Sequence, residues 1–422
     1  MHSESNFTAF LMKYMLMKNT FIRIFAALAA VISGLSAYGQ SIDMQAHVWS
    51  DEGRTAYSEY QTRQDAYYTD ACAYDSLLLA EDTALFHRLN TLLGATCRLL
   101  QSSYNYGSLR SEYVNVDRDL NTPGNIIGYY DGCTLDGTWD SGHTWNREHT
   151  WPQSKGASNS IPMGYDMQSV RPASTDVNSD RGNTPYGEST GYYDPDEVAI
   201  NNTSYRIENR GTYRGDAARV ILYDYLLYGT FGGHQNALYN GNAQLPDKLG
   251  YNGVFESFEV LLRWHMQDPP SLTEMVRNDG GEVYQGNRNP FIDFPEIAVL
   301  LLKNQPAVTT YPVQYSHPSL IHPHHPYSTA GGFVCYVTEQ DDSHPANLSV
   351  EGAEYDYDSA SGRLTITRVN SDVTVTVSGV FESLDEAIYG PAPRKYFRNG
   401  RLVILQNGTE FDVLGQPLKN HK

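Results

Sequence analysis

The chain has 422 residues, 40% hydrophobic and 19% charged, with 32 Tyr, 35 Gly and 20 Pro. That length predicts two or three domains, and the composition excludes a disordered chain and a coiled coil. Thirty Lys plus Arg against 49 Asp plus Glu give a net charge of −19, which as a sum argues against a polyanion-binding protein.

Lys18 and Arg23 precede the apolar run from Ile24 to Ile32, and Ala37-Tyr38-Gly39 offers small residues for cleavage before Gln40. Residues 1–39 therefore read as an export signal, and Met17 starts a more typical one than Met1. The run is short for a span of roughly 20 residues. No later segment could cross a bilayer, so the mature chain is expected in the periplasm, at the cell surface or outside the cell. Cys72, Cys97, Cys133 and Cys335 allow one or two disulfides in a pairing the sequence does not choose. Their wide spacing speaks against a cysteine zinc site.

After an N-terminal lead (40–59), residues 60–303 mix helical and irregular patterns. Leu85-Phe86 with Leu89 and Leu92-Leu93, Ala217 to Leu227, and Phe258 to Trp264 have apolar residues at helical spacing. Pro306, Pro312, Pro318, Pro323 and Pro326 mark 304–330 as a linker. Residues 331–422 read as a β region, with period-two alternation at Leu364–Thr367 and Val373–Val377. Asn399-Gly400 and Asn407-Gly408 flank Leu402–Leu405 as hairpin turns.

The chemistry concentrates in Trp145-Asn146-Arg147-Glu148-His149-Thr150-Trp151-Pro152-Gln153-Ser154. Adjacent side chains of an extended segment point to opposite faces, so Glu148 and His149 serve one ligand only where the chain bends. Tyr165–Val170 is expected as a second short strand. Arg171-Pro172 is expected to open a helix that stops at Gly182 and carries Asp176, Asn178, Asp180 and Arg181. Such a strand–strand–helix unit can point His149 and Asn178 at a shared site.

These motifs resemble the bacterial endonuclease I family of secreted or periplasmic nucleases with a ββα-metal (His-Me) finger. The resemblance rests on Asn146-Arg147-Glu148-His149, on Trp151-Pro152-Gln153-Ser154 and on Val177 to Asn183. Arg214 to Arg219 and Gln285 to Asp293 extend it. It implies an α+β fold, a finger domain with surrounding helices followed here by a small all-β region. It also implies hydrolysis of DNA or RNA without sequence specificity, to 5′-phosphate and 3′-hydroxyl ends.

In that resemblance His149 is the general base, and Glu148 and Asn178 hold one divalent cation, Mg²⁺ before Mn²⁺ or Ca²⁺. Where many relatives carry a His-Asn or His-His pair, this chain has Gln168-Ser169, and it lacks the insert that supplies some relatives with an arginine. Arg171 and Arg181 are the catalytic candidates for that arginine's role, ahead of Arg147, because a guanidinium can pair two phosphate oxygens. Asn146, Arg147, Asn183, Asn287 and Arg288 are expected to touch substrate or support the ligands.

Residues 141–300 hold 12 Lys plus Arg against 20 Asp plus Glu, so the proposed catalytic segment is itself acidic. His265 reads as a packed histidine, and His317, His322, His324 and His325 as at most an adventitious metal site. The tail from Lys395 to Lys419 resembles sorting or anchoring hairpins that contact secretion machinery. Two rival readings are a surface binding protein with an inactive nuclease core and a phosphodiesterase acting on another ester.

Overall fold

A computed structural model describes residues 51–80, 82–200, 203–205, 212–229, 253–337, 347–359, 361–378, 394–398, 401–406 and 409–411. The expected export signal lies outside the described residues. The chain divides into two units, residues 1–309 and 310–422.

The first unit opens with α1 (Asp51–Tyr67), α2 (Tyr74–Leu78), α3 (Asp82–Thr96) and α4 (Leu109–Val116). Four strands follow: β1 (Asn125–Ile127), β2 (Thr134–Asp136), β3 (Trp145–His149) and β4 (Val170–Ser174). Next come α5 (Thr175–Arg181), β5 (Val198–Ile200), β6 (Thr203–Tyr205), α6 (Arg214–Tyr228) and α7 (Phe258–Gln267). The unit ends with α8 (Leu272–Gln285), α9 (Pro290–Asp293) and α10 (Ile297–Leu302). Strands β1–β2, β3–β4 and β5–β6 form three separate antiparallel pairs.

Helix α6 is buried from Gly215 to Tyr228 and packs on α3, α7 and α9, so it is the axis of the helical core. A helix covered on every side must satisfy its polar groups internally. Arg219 does so with Glu274, at 2.7 Å through both Nε and Nη2. Glu274 also closes the capping box of α8 with Ser271, and Gly286 ends that helix at φ 93°, a left-handed conformation suited to glycine. A second apolar cluster joins Leu109, Tyr113, Val116, Ile126, Trp145, Met167 and Val170, and it lies under one face of β3.

Two expected boundaries shift. Residues 51–59, read as a lead, belong to α1, where Ala56, Tyr57 and Tyr60 are buried. Residues 310–330, read as linker, carry β7 (Thr310–Tyr315), β8 (Ile321–His322) and β9 (Tyr327–Thr329) of the second unit. Pro312 is tolerated in β7 because the pairing with the neighbouring strand on that side begins only at Val313.

The second unit continues with β10 (Phe333–Val337), β11 (Asn347–Glu351), β12 (Glu354–Asp358), β13 (Arg363–Thr367) and β14 (Val373–Ser378). Its two four-stranded sheets have the orders β12-β13-β10-β8 and β11-β14-β7-β9. Val373, Val375 and Val377 are buried, as alternation predicts for one covered face. Strands β15 (Arg394–Arg398), β16 (Arg401–Gln406) and β17 (Thr409–Phe411) form an antiparallel three-stranded sheet. The two Asn-Gly turns fall outside the described residues.

Candidate active site

Strands β3 and β4 pair antiparallel with Glu148 opposite Arg171 and His149 opposite Val170. Helix α5 follows directly and packs on both strands. The helix thus begins at Thr175, and Arg171-Pro172 lies in the strand rather than in the helix's first turn. The reason is nonlocal. Pro172, which has no N–H, sits in a two-stranded pair where one edge needs no donor, and its carbonyl accepts from Tyr129 N at 2.7 Å. Residues 166–169 form a turn instead of a strand. Asp166 Oδ1 accepts from Gln168 N at 2.8 Å, while Oδ2 is held by the Tyr223 and Tyr228 hydroxyls at 2.7 and 2.6 Å.

Alternation along β3 places Asn146 and Glu148 on one face and Trp145, Arg147 and His149 on the other. Asn178 and Arg181, one turn apart on α5, meet the first face. The Asn178 amide donates to Asn146 Oδ1, and Arg181 lies 3.2 Å from Glu148 Oε1. Glu148 is 2% exposed, and Tyr130 donates to the same Oε1 at 2.7 Å. The Tyr130 hydroxyl also bonds that of Tyr186. Burial raises the Glu148 pKa, and Arg181 and the Tyr130 hydrogen bond pull it back.

On the other face His149 is 7% exposed. Its Nε2 lies 3.0 Å from the carbonyl of Gly164, which can only accept, so Nε2 carries the proton. That leaves the lone pair on Nδ1, where the Gln153 amide approaches at 3.3 Å. Burial pushes the His149 pKa down to about 4, with Arg147 and Arg181 adding to the effect. The imidazole is therefore neutral at pH 7 and able to accept a proton at Nδ1.

The other expected residues divide. Arg181 is 1% exposed and also donates to the carbonyls of His149 and Thr150, at 3.1 and 2.8 Å. Arg171 is buried, 3.4 Å from Asp117 Oδ1, with its guanidinium over Tyr129. Neither guanidinium is turned to solvent, and this weakens the phosphate-binding role expected for both. Asn183 is exposed just beyond α5. Asn287 and Arg288 belong to the scaffold instead: Asn287 donates to the Tyr223 hydroxyl at 2.6 Å. Arg288 is fully buried, with a bidentate pair to Asp293 and single contacts to Asp279 and Glu282.

Gln168 and Ser169 are likewise scaffold residues, bonded to Asn278 and Asp224. His265 is packed, with Nε2 donating to the Pro295 carbonyl at 2.8 Å. No disulfide forms among the described residues, which include all four cysteines. Tyr130, Tyr186, Tyr106 and the Gly164 carbonyl complete the site without any signal in the linear sequence, because each reaches it from a separate segment.

The oxygen atoms fit a hard divalent cation. Both contacts to Glu148 fall on Oε1, which leaves Oε2 uncommitted among the described residues, and the Asn178 amide engages Asn146 through its nitrogen, leaving its oxygen. One carboxylate and one carboxamide oxygen suit Mg²⁺, Mn²⁺ or Ca²⁺ better than zinc.

The family model for Endonuclease I matches residues 93–296, the stretch that contains β3, β4, α5 and the helices around them. The protein is a nuclease. An extracellular ribonuclease of Bacillus subtilis (strain 168) is 35% identical over 208 residues, covering 46% of this chain and 67% of the relative. An extracellular ribonuclease of Bacillus amyloliquefaciens is 32% identical over 230 residues, covering 51% and 73%. The chain belongs to the endonuclease I family.

Proposed function

We propose that the protein is an exported, divalent-cation-dependent endonuclease that hydrolyses DNA or RNA phosphodiesters without reading sequence, leaving 5′-phosphate and 3′-hydroxyl ends. The observation that carries this reading is the Gly164 carbonyl on His149 Nε2, which fixes the tautomer with a basic Nδ1. His149 Nδ1 takes the proton from the attacking water as the oxygen–phosphorus bond forms. The ring stays neutral until that moment because its burial disfavours imidazolium.

Glu148 and Asn178 hold the cation, which when bound supplies positive charge to the phosphate and to the departing oxygen. Arg181 pairs with Glu148, which favours its charged form against the effect of burial, and ties α5 to the end of β3 through the His149 carbonyl. Export is supported by the likeness to two extracellular ribonucleases and by the N-terminal pattern. Among the described residues no helix is long and apolar enough to cross a membrane. Attachment through the tail rests on its strand pattern alone; deletion after residue 394 should change location and leave specific activity intact.

The test is cleavage of plasmid DNA and of RNA in Mg²⁺, with and without chelator, by the parent protein, His149→Ala and Glu148→Ala. Chelation and either substitution should abolish cleavage. Cleavage that survives all three would sink the assignment.

A further inference from the structure

The opposite face of β3 holds a second arrangement. The Arg147 guanidinium carbon sits 3.6 Å from the centroid of the Tyr106 ring and 5.1 Å from that of Trp139. Arg110, exposed at the start of α4, lies 5.7 Å from the Trp139 ring. The Tyr106 ring in turn is 5.2 Å from the His149 imidazole, tilted by 31°. Cations and rings thus alternate from Arg110 through Trp139, Arg147 and Tyr106 to His149. Tyr106 and Trp139 are half-buried, packed against the cluster that contains Trp145 and Tyr113.

What marks this row is a pair of cations held on ring faces that lead to His149 and not on carboxylates. Arg171, Arg181, Arg214, Arg219, Arg263, Arg277 and Arg288 each pair with a carboxylate. Arg147 and Arg110 have no carboxylate partner among the described residues; their recorded hydrogen bonds go to the backbone carbonyls of Tyr106 and Gly107. Arg147 Nε is buried with no acceptor. Arg88, Arg98 and Arg118 also bond only backbone carbonyls among the described residues, but Arg147 and Arg110 are the ones stacked on the rings beside His149. A ring face holds a guanidinium in place without neutralising it, whereas a carboxylate would cancel its charge. A half-buried cation of this kind has lost hydration and regains interaction when an anion arrives.

We propose that Arg147, held on Tyr106 and Trp139, is the phosphate-binding cation of the active site, and that Arg110 extends it into a track for the substrate strand. The proposal rests on the nuclease reading and assigns to Arg147 the part that Arg171 and Arg181, committed to buried carboxylates, do not fill. The rings are already occupied by guanidinium groups. The track therefore offers charge to the backbone rather than a platform for bases, and this suits cleavage without sequence preference.

The test uses the full chain carrying His149→Ala, which should bind a labelled oligonucleotide without cutting it, and reads the dissociation constant from 50 to 200 mM salt. Each lost phosphate contact should remove about a threefold share of the weakening across that range. Arg147→Ala and Arg110→Ala should each lower the salt slope by about one contact, and Arg147→Lys should retain it. Arg368→Ala, an exposed arginine paired with Glu354 in the second unit, should leave the slope unchanged. Arg110 is exposed, so its variant carries no folding burden and keeps the test decisive should Arg147→Ala fail to fold.

Unchanged slopes in Arg147→Ala and Arg110→Ala, in a protein whose parent cuts nucleic acid and loses cutting on His149→Ala, would overturn the track alone. A parent whose cutting ignores His149→Ala and Glu148→Ala would overturn the nuclease-site reading instead.

Discussion

The finger (residues 145–181) and the segment from α8 through α9 (residues 272–293) are both rich in buried polar and charged groups, yet they spend them differently. In the second, the groups are saturated. Arg288 is held by Asp293, Asp279 and Glu282. Arg277 pairs with Asp117 and donates to the Met167 and Val170 carbonyls. Asn289 caps α9 and reaches back to the Arg219 carbonyl. In the finger, capacity is left over among the described residues: Glu148 uses one oxygen, Asn178 its nitrogen, His149 Nδ1 meets the Gln153 amide at a long 3.3 Å, and Arg147 has no carboxylate. A network that only supports the fold closes on itself, and one that serves a reaction keeps atoms for a ligand.

The sharpest way to break this contrast is to open the closed network. Arg288→Met leaves three carboxylates without their shared cation. Removing one partner of a buried ion pair costs about 3–5 kcal/mol. Thermal unfolding should fall by on the order of 10 °C, and the folded fraction should keep its kcat. Loss of kcat at a temperature where circular dichroism shows the variant folded would mean that the segment takes part in the reaction after all.

The same contrast explains what the sequence exposes. The helices at 82–96, 214–228 and 258–267 are legible because each apolar spacing is set within a few residues by burial of one stripe or of the whole helix. Glu148, His149 and Asn178 are legible as a motif. The strand at Arg171-Pro172 is not, since only its partner β3 decides between strand and helix there. The fate of the arginines is hidden for the same reason. Nothing local shows that Arg171 meets Asp117, or that Arg147 meets the ring of Tyr106 instead of an acid.

A second prediction turns on pH. His149 titrates near 4 when folded and near 6.5 when unfolded, so the folded state binds fewer protons between those values. Its contribution to stability is then complete above about pH 6.5 and declines as pH falls towards 4, by at most about 1.4 kcal/mol per pH unit. His265, pushed down to about 3 in the helical core, acts in the same direction. Buried carboxylates such as Asp268, pushed up to about 8, act in the opposite one. Comparing each histidine variant with the parent isolates its share: His149→Gln and His265→Gln should each flatten the fall in denaturation midpoint between pH 6.5 and 4. A His149 ring resonance that titrates near 6.5 in the folded protein would contradict the buried neutral base.

The smallest effect concerns Tyr130, which donates to Glu148 Oε1. A hydrogen bond to a charged group is worth about 1.5–3 kcal/mol. Tyr130→Phe keeps the ring between Tyr129 and Tyr193 and removes the hydroxyl that donates to Glu148 and bonds that of Tyr186. Arg181 still pairs with Oε1, so the carboxylate keeps its cationic partner but is less firmly turned. Mn²⁺ binding, followed by calorimetry or electron paramagnetic resonance, should weaken by about tenfold, the lower end of that range. Thermal stability should move less than in Arg288→Met, because the finger has alternatives for its polar atoms that the saturated segment lacks. Mn²⁺ affinity equal to the parent's would show that Arg181 alone orients Glu148 and that Tyr130 belongs with the scaffold.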